Sequence, residues 1–247
     1  GKQNDTNQTD KLSIVTTIFP EYDWVREILG DKADNAEITM LLDNGVDLHS
    51  YQPTADDIVK ISDCDLFIYV GGESDEWVED ALRNAANRNM KVINLLEVLG
   101  DSVKTEEIVE GMQEEEHEHE DAEEHEEEVD EHVWLSLKNA KMLVRVISKA
   151  LQELDPNNKD IYAANADAYV KKLSALDAEY QTAVDAASNK TILFGDRFPF
   201  RYLVDDYGLR YYAAFVGCST ETEAGFETIS FLAKRVDELK LPCVLTI

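Results

Sequence analysis

The chain has 247 residues, a net charge of −29 and a hydrophobic fraction of 44%. That fraction is sufficient for a packed core, so the composition excludes a wholly disordered acidic chain. The negative charge argues against nucleic acid and against an anionic membrane surface as partners. The three cysteines contain no CxxC pair, which argues against a zinc finger or a disulfide framework and favours buried free thiols. No run of apolar residues is long enough to span a membrane.

Short strands alternate with helices in the N-terminal part of the chain. Strands are predicted at residues 12–20, 36–42, 65–72 and 91–96, with a helix after each of the first three. Pro20 is expected to end the first strand, and Thr54 is expected to cap the second helix. The alternation predicts βαβ units and a parallel sheet that is buried on both faces. Residues 1–10 are polar and have the composition of a linker that follows a removed segment.

Two helices are predicted in the middle of the chain. The first carries one apolar stripe that ends before Pro156, formed by Leu143, Ile147, Leu151 and Leu154. The second runs from about residue 160 to residue 187, and its apolar positions step by four and three: Tyr162, Ala166, Tyr169, Leu173, Leu176 and Tyr180. At ~1.5 Å per residue this helix is roughly 40 Å long, which suits a stiff connection between two lobes.

A second α/β lobe follows the long helix. Strands are predicted at residues 191–195, 210–215 and 242–247, with helices between them. Three strands and two helices are few for an independent lobe, so we expect this lobe to be incomplete. The predicted organisation is a linker at 1–10, an N-terminal lobe at 11–158, a linking helix at 159–188 and a C-terminal lobe at 189–247.

Four of the five histidines lie in or beside an acidic loop at residues 113–131. The loop contains eleven Glu, two Asp and no Lys or Arg, so it carries 13 of the 29 net negative charges. Three of these histidines have only polar surroundings, namely His117, His119 and His125. His132 differs because Val133, Trp134 and Leu135 follow it, so the chain re-enters the core at this histidine.

His49 lies in a loop that follows the predicted strand 36–42. Ligands of open parallel sheets bind beyond the carboxyl ends of the strands, where this loop is expected. His49 and His132 are therefore candidates to share a metal ion, because neutral imidazole is a common metal ligand. A surface role for His49 is the alternative. The chain has no GxSxG, P-loop, GxGxxG or HExxH motif, so we expect no enzyme; a metallohydrolase would need a general base that the sequence does not identify.

Four segments resemble those of the metal-specific solute-binding proteins of ABC transporters, the zinc and manganese receptors. Residues 45–72 resemble the G-x-x-P-H-x-Y-x-P-T segment, and residues 130–151 resemble the D-P-H-x-W-L segment with its following helix. Residues 162–180 are similar to the long linking helix, and residues 200–209 to the A-F-x-Y-L-x-x-x-Y-G-L segment. The segments occur in the same order, and the resemblance covers about residues 11–247.

The resemblance implies an α/β fold of two pseudo-symmetric lobes, joined by a rigid helix, with one metal ion in the cleft. It places the two N-lobe ligands of the family at His49 and His132. The third family ligand, His or Glu, falls on Arg197, which cannot bind a cation. The neighbouring Asp196 is then the nearest candidate, with a helix N-cap or a salt bridge to Arg197 as its alternative role. Glu223 is held in reserve, and the family's fourth ligand, an acid, would follow residue 247.

The resemblance also implies a function, namely capture of Zn²⁺ outside the cytoplasm and its delivery to a membrane permease. We expect a monomer that is lipid-anchored on the outer face of the cytoplasmic membrane. The histidines of the acidic loop favour Zn²⁺ over Mn²⁺, because they can capture zinc weakly and pass it to the cleft. A solvated charge run without such a role is the alternative for the loop. A manganese receptor, or a metal-binding adhesin or buffer, is the alternative for the whole protein.

Overall fold

The computed structural model describes residues 11–113, 128–221 and 223–247. The predicted linker and the three histidines of the acidic loop, His117, His119 and His125, lie outside this part of the chain. The contacts divide the chain into two compact units. The first unit contains the described residues of Gly1–Asn94 and Val144–Tyr169, and the second contains the described residues of Leu95–Leu143 and Val170–Ile247. This grouping differs from the predicted lobes, because the segment after residue 94 groups with the C-terminal part of the chain.

The first unit contains a four-stranded sheet in which every strand pair is parallel. Its strands are β1 Leu12–Thr16, β2 Ala36–Met40, β3 Leu66–Tyr69 and β4 Lys91–Asn94, in the order β2-β1-β3-β4. In the register of the sheet, Ile14 lies opposite Ile38 on one side and Leu66 on the other. The predicted parallel sheet is confirmed.

All four strands end earlier than predicted, and for the first and the last of them the cause is local. The first helix, α1 Phe19–Leu29, begins before Pro20, so the strand before it ends at Thr16. Proline fits the first turn of a helix because the backbone N–H that it lacks has no partner there. The last strand ends at Asn94, and the apolar residues after it form α4 Leu95–Leu99.

The other helices of this region connect the strands as predicted. They are α2 Ala55–Asp63 and α3 Trp77–Arg83. Thr54 caps α2, because its side-chain oxygen accepts the backbone N–H of Asp57. In return, the Asp57 carboxylate accepts the backbone N–H of Thr54 at 2.8 Å. This reciprocal pair sets the residue at which the loop before α2 ends.

Two long helices follow, and each continues from one compact unit into the other. They are α5 Leu137–Leu154 and α6 Lys159–Ala186. Part of the predicted stripe of α6 is buried, including Tyr162 and Leu173, but Leu176 and Tyr180 are 41% and 42% exposed. Both exposed positions lie after Tyr169, in the part of α6 that groups with the second unit. No helix in the described ranges is long and apolar enough to cross a membrane.

The second unit contains a parallel pair of strands, β5 Thr191–Phe198 and β6 Arg210–Val216. The helices α7 Arg201–Tyr207 and α8 Phe226–Leu239 follow these strands. The predicted strand at 242–247 is not formed as such. Leu245, in the middle of this segment, forms a single parallel bridge with Phe194 of β5. One bridge pairs too few residues for a strand. With parallel sheets in both units and a long helix, the predicted α/β class is confirmed.

A short antiparallel pairing closes the base of the acidic loop in the second unit. Thr105 and Val129 form a bridge, and the N–H of Glu106 donates to the carbonyl of Glu128 at 2.8 Å. The buried hydroxyl of Tyr202 donates to the carbonyl of Asp130 at 2.6 Å and accepts the N–H of Lys104 at 3.0 Å. One side chain of α7 thus joins both segments of this pairing, which we call the loop neck (residues 104–106 and 128–130).

Replacing Tyr202 with phenylalanine should destabilise the protein by about 1–3 kcal/mol, because it leaves polar backbone groups of the neck without their partner. The free energy of unfolding in a denaturant titration measures this change. Tyr180→Phe is the matched control, since Tyr180 is 42% exposed and its ring stacks on Tyr207. Equal stability of the two variants would show that the neck does not depend on this hydroxyl.

Candidate metal centre

His49 lies in the loop that follows β2, in the first unit. It is the middle residue of a short 3-10 turn, Leu48–Ser50, which Asp47 caps by accepting the backbone N–H of His49 at 2.9 Å. The Nδ1 atom of the ring lies 2.9 Å from the hydroxyl oxygen of Ser74. Ser74 follows β3, so side chains from beyond two strand ends meet at the carboxyl edge of the sheet. The sequence predicted this edge as the place for His49.

The rest of this loop is fixed by Tyr51, which is buried. Its hydroxyl donates to the carboxylate of Asp57 at 2.9 Å, and its ring packs edge-on against Trp77 at 5.7 Å. Burial raises the pKa of Tyr51, and the hydrogen bond to Asp57 raises it further, so the hydroxyl stays protonated as a donor. His49 is therefore carried by a loop with a defined conformation. With Nδ1 bonded to Ser74, Nε2 is the ring atom suited to a metal ion.

His132 is a buried histidine of the second unit and lies just before a 3-10 turn, Val133–Leu135. The Oδ1 atom of Asp130 lies 2.9 Å from the backbone nitrogen of His132 and 2.9 Å from its Nδ1. A carboxylate at Nδ1 holds the proton on that atom and leaves Nε2 with its lone pair. This carboxylate–histidine arrangement is the one that orients metal-binding imidazoles in proteins.

Gly217, the residue after β6, allows the backbone to approach the ring of His132. A Cβ atom at this position would lie 3.0 Å from Nδ1 and Cε1 of His132 and 2.8 Å from the carbonyl oxygen of Phe198. Both distances are too short for a real Cβ contact without movement of the neighbours. Glycine is therefore required here for steric reasons, since the ring of His132 occupies the space of a side chain.

Cys218 follows this glycine and was not predicted as a site residue. Its Sγ atom lies within 4.8 Å of a ring nitrogen of His132. Its backbone N–H donates to the carboxylate of Glu106 at 3.0 Å. Burial raises the pKa of the Cys218 thiol, and the nearby charge of Glu106 raises it further, so without a cation the group is a neutral thiol. The one signal in the sequence was its position shortly after a predicted strand, as for His49, and no spacing paired it with His132.

The other predicted ligand of the second unit, Asp196, has a different environment. Its Oδ2 atom accepts the backbone N–H of Ile247 at 3.0 Å, and its carboxylate does not lie within 4.8 Å of both His132 and Cys218. It does not cap a helix, because Phe200 is the N-cap of α7. Arg197, at the position of the family's third ligand, donates to the carbonyl of Ser219 at 3.3 Å. The reserve candidate Glu223 is exposed.

The second unit thus presents an imidazole nitrogen and a thiol sulfur close together, with a carboxylate behind the imidazole. Nitrogen and sulfur are the donors that Zn²⁺ prefers, whereas Mn²⁺ prefers oxygen. Asp196 as a ligand stays a prediction. Capture of metal by the acidic loop also stays a prediction, because the three loop histidines lie outside the described residues.

Comparisons with known proteins identify relatives of this chain. The family model of ZnuA, described as zinc-uptake complex component A, periplasmic, matches residues 14–247. Zinc-binding lipoprotein AdcA of Streptococcus pneumoniae serotype 4 is 33% identical over 239 residues, which are 96% of this chain and 45% of AdcA. High-affinity zinc uptake system protein ZnuA of Bacillus subtilis is 35% identical over 203 residues, which are 81% of this chain and 60% of that protein.

A solved structure of one of these relatives is also similar to this chain. The crystal structure of the Zn(II)-bound ZnuA-like domain of Streptococcus pneumoniae AdcA matches with a TM-score of 0.72 and 30% identity. The match covers 96% of this chain and 78% of that domain. The chain spans about half the length of the curated relatives it matches.

The role of Asp130 can be tested through the affinity for Zn²⁺. Asp130→Asn should weaken Zn²⁺ binding by about 10–100-fold, because the amide no longer provides the charge that fixes and polarises the ring of His132. Isothermal titration calorimetry measures the change. Asp237→Asn, which removes one negative charge from an exposed position on α8, is the matched control. If both variants bind Zn²⁺ as the wild type does, Asp130 does not orient a metal ligand.

Proposed function

The chain belongs to the ZnuA family of zinc-uptake proteins, and from this premise we propose that it captures Zn²⁺ outside the cytoplasm and delivers it to an ABC transporter permease. The family description names one component of an uptake complex, so the proposed activity is binding and transport, not catalysis. The observation that supports it most directly is the buried pair of Asp130 and His132, in which the carboxylate leaves Nε2 suited to a metal ion.

In this proposal, one Zn²⁺ is bound by His49 and His132. Each ring has its Nδ1 atom engaged by an oxygen, from Ser74 for His49 and from Asp130 for His132. Both rings therefore offer the same atom, Nε2, to an ion. Two neutral imidazoles do not offset the charge of Zn²⁺, so at least one anionic ligand is expected as well. Asp196 remains a candidate for that ligand.

Zinc is preferred over manganese as the transported ion. AdcA and ZnuA, the relatives compared above, are both named for zinc. The nitrogen donors of this chain are also borderline ligands that suit Zn²⁺ better than Mn²⁺. The loop histidines His117, His119 and His125 are proposed to be a weak first point of capture. A metal-binding adhesin or buffer is the competing function, because it requires the same ion but no permease.

The cellular proposal follows from the relatives in the same way. AdcA is named a lipoprotein, and a receptor of this kind is held near its permease by a lipid anchor. We therefore propose that the protein is a lipid-anchored monomer on the outer face of the cytoplasmic membrane. Cells that lack it should accumulate less zinc in chelator-treated medium and recover when Zn²⁺ is added. Unchanged zinc accumulation in such cells would favour the adhesin or buffer.

The double variant His49→Ala and His132→Ala should lose tight Zn²⁺ binding. The affinity for Zn²⁺ should fall by more than the about 100-fold that a residue such as Asp130 contributes, because the ligands themselves are removed. Calorimetry of the metal-free protein measures it, and competition with Mn²⁺ in the wild type tests the preference for zinc.

The matched control removes three histidines that are not proposed to form the tight site. The triple variant of His117, His119 and His125 to alanine should keep one tight Zn²⁺ site and lose only weak binding. Tight binding that survives in the double variant, or that disappears in the triple variant, would contradict the proposed centre.

A further inference from the structure

We infer that Cys218 binds the ion as a thiolate and is the anionic ligand of the zinc centre. This inference rests on the proposed function and deepens it, because it defines the donor set and thereby the class of metal ion. Neither the family resemblance nor the predicted ligands of this chain include a cysteine. The geometry of the second unit points to one, since Sγ of Cys218 lies within 4.8 Å of a ring nitrogen of His132.

The position of Cys218 is fixed by the strand that precedes it. β6 ends at Val216, and Gly217 packs so closely that the ring of His132 fills the space of its missing side chain. The next residue is therefore held beside the same ring. The hydrogen bond from the Cys218 N–H to Glu106 fixes its backbone, and Glu106 belongs to the loop neck that also carries Asp130. The thiol and the imidazole are thus positioned by one connected set of contacts.

The carboxylates around Cys218 attract a cation, and the bound cation is what makes a thiolate favourable there. Glu106 accepts the backbone N–H of Cys218. Burial raises the pKa of the Cys218 thiol, and the charges of Glu106 and Asp130 raise it further, so the protein alone does not stabilise the thiolate. A bound Zn²⁺ supplies the positive charge that the thiolate needs, and the thiolate in turn reduces the net charge of the ion from two to one.

Coordination of Zn²⁺ by Cys218 involves no redox change. The S–H bond breaks as the S–Zn bond forms, the proton leaves to solvent, and both electrons of the former S–H bond stay on sulfur. Metal ions deprotonate a coordinating thiol in this way even where burial favours the neutral form. The resulting nitrogen and sulfur set binds Zn²⁺ and Cd²⁺ well and Mn²⁺ poorly.

The other two cysteines provide the comparison within the same chain. Cys64 is buried in the first unit and ends α2, and burial raises the pKa of its thiol to about 12. Cys243 is exposed in the second unit. Cys218 differs from both, because its Sγ atom lies within 4.8 Å of a ring nitrogen of His132 in the same unit.

Spectroscopy with Co²⁺ and Cd²⁺ tests the inference directly. The wild-type protein loaded with either ion should show a thiolate-to-metal charge-transfer band in the ultraviolet. Cys218→Ser should lose this band and bind Zn²⁺ at least about 10-fold more weakly, with a smaller preference for Zn²⁺ over Mn²⁺. Cys243→Ser, the control, should keep both the band and the affinity. A band that persists in Cys218→Ser would overturn the inference.

Two further measurements separate this inference from the proposed function and from a folding defect. X-ray absorption of the zinc-loaded wild type needs no variant and should show one Zn–S distance of about 2.3 Å. Cys218→Asp should regain part of the Zn²⁺ affinity without the charge-transfer band. Tight Zn²⁺ binding with only nitrogen and oxygen neighbours would refute the thiolate and leave the proposed function intact. A wild type that binds no Zn²⁺ would refute both.

Discussion

The pair of 2.9 Å contacts between Asp130 and the backbone and ring of His132 is the interaction on which the candidate centre depends. It fixes the position of the ring and, by holding the proton on Nδ1, the chemical character of the other nitrogen. Asp130 is in turn held by Tyr202 through its carbonyl oxygen. The side chain and the main chain of one residue thus connect the imidazole of the candidate centre to the hydrophobic core around α7.

The sequence was sufficient to predict the parts of the fold that depend on local patterns. The alternation of strands and helices before residue 97 predicted the parallel sheet of the first unit, and the apolar stripes predicted α5 and α6. The same patterns predicted His49 at a strand end and His132 at the return to the core. Each of these features depends on residues that are close in sequence, so one amino-acid sequence is enough to predict them.

The donor set of the second unit depends on long-range register and could not be predicted in the same way. The pairing of β5 with β6 shifts between Phe194 and Arg197, so counting residues along the strand does not define which side chain faces the centre. Asp196 lies within that irregular stretch. Cys218 lies 22 residues further along the chain and reaches His132 only because two non-adjacent segments meet at Gly217. The spacing of residues along the chain does not predict such contacts.

The loop neck has a consequence for how this protein can change during evolution. Because Glu106 and Glu128 are hydrogen-bonded to each other, the segment between them begins and ends at the same place on the surface. The entropic cost of closing a flexible loop grows slowly with its length, by about 0.6 kcal/mol per doubling. Insertions and deletions in the acidic segment therefore cost little folding free energy and leave His132 in place. The length and the histidine content of that segment can therefore change independently of the loop neck and of His132.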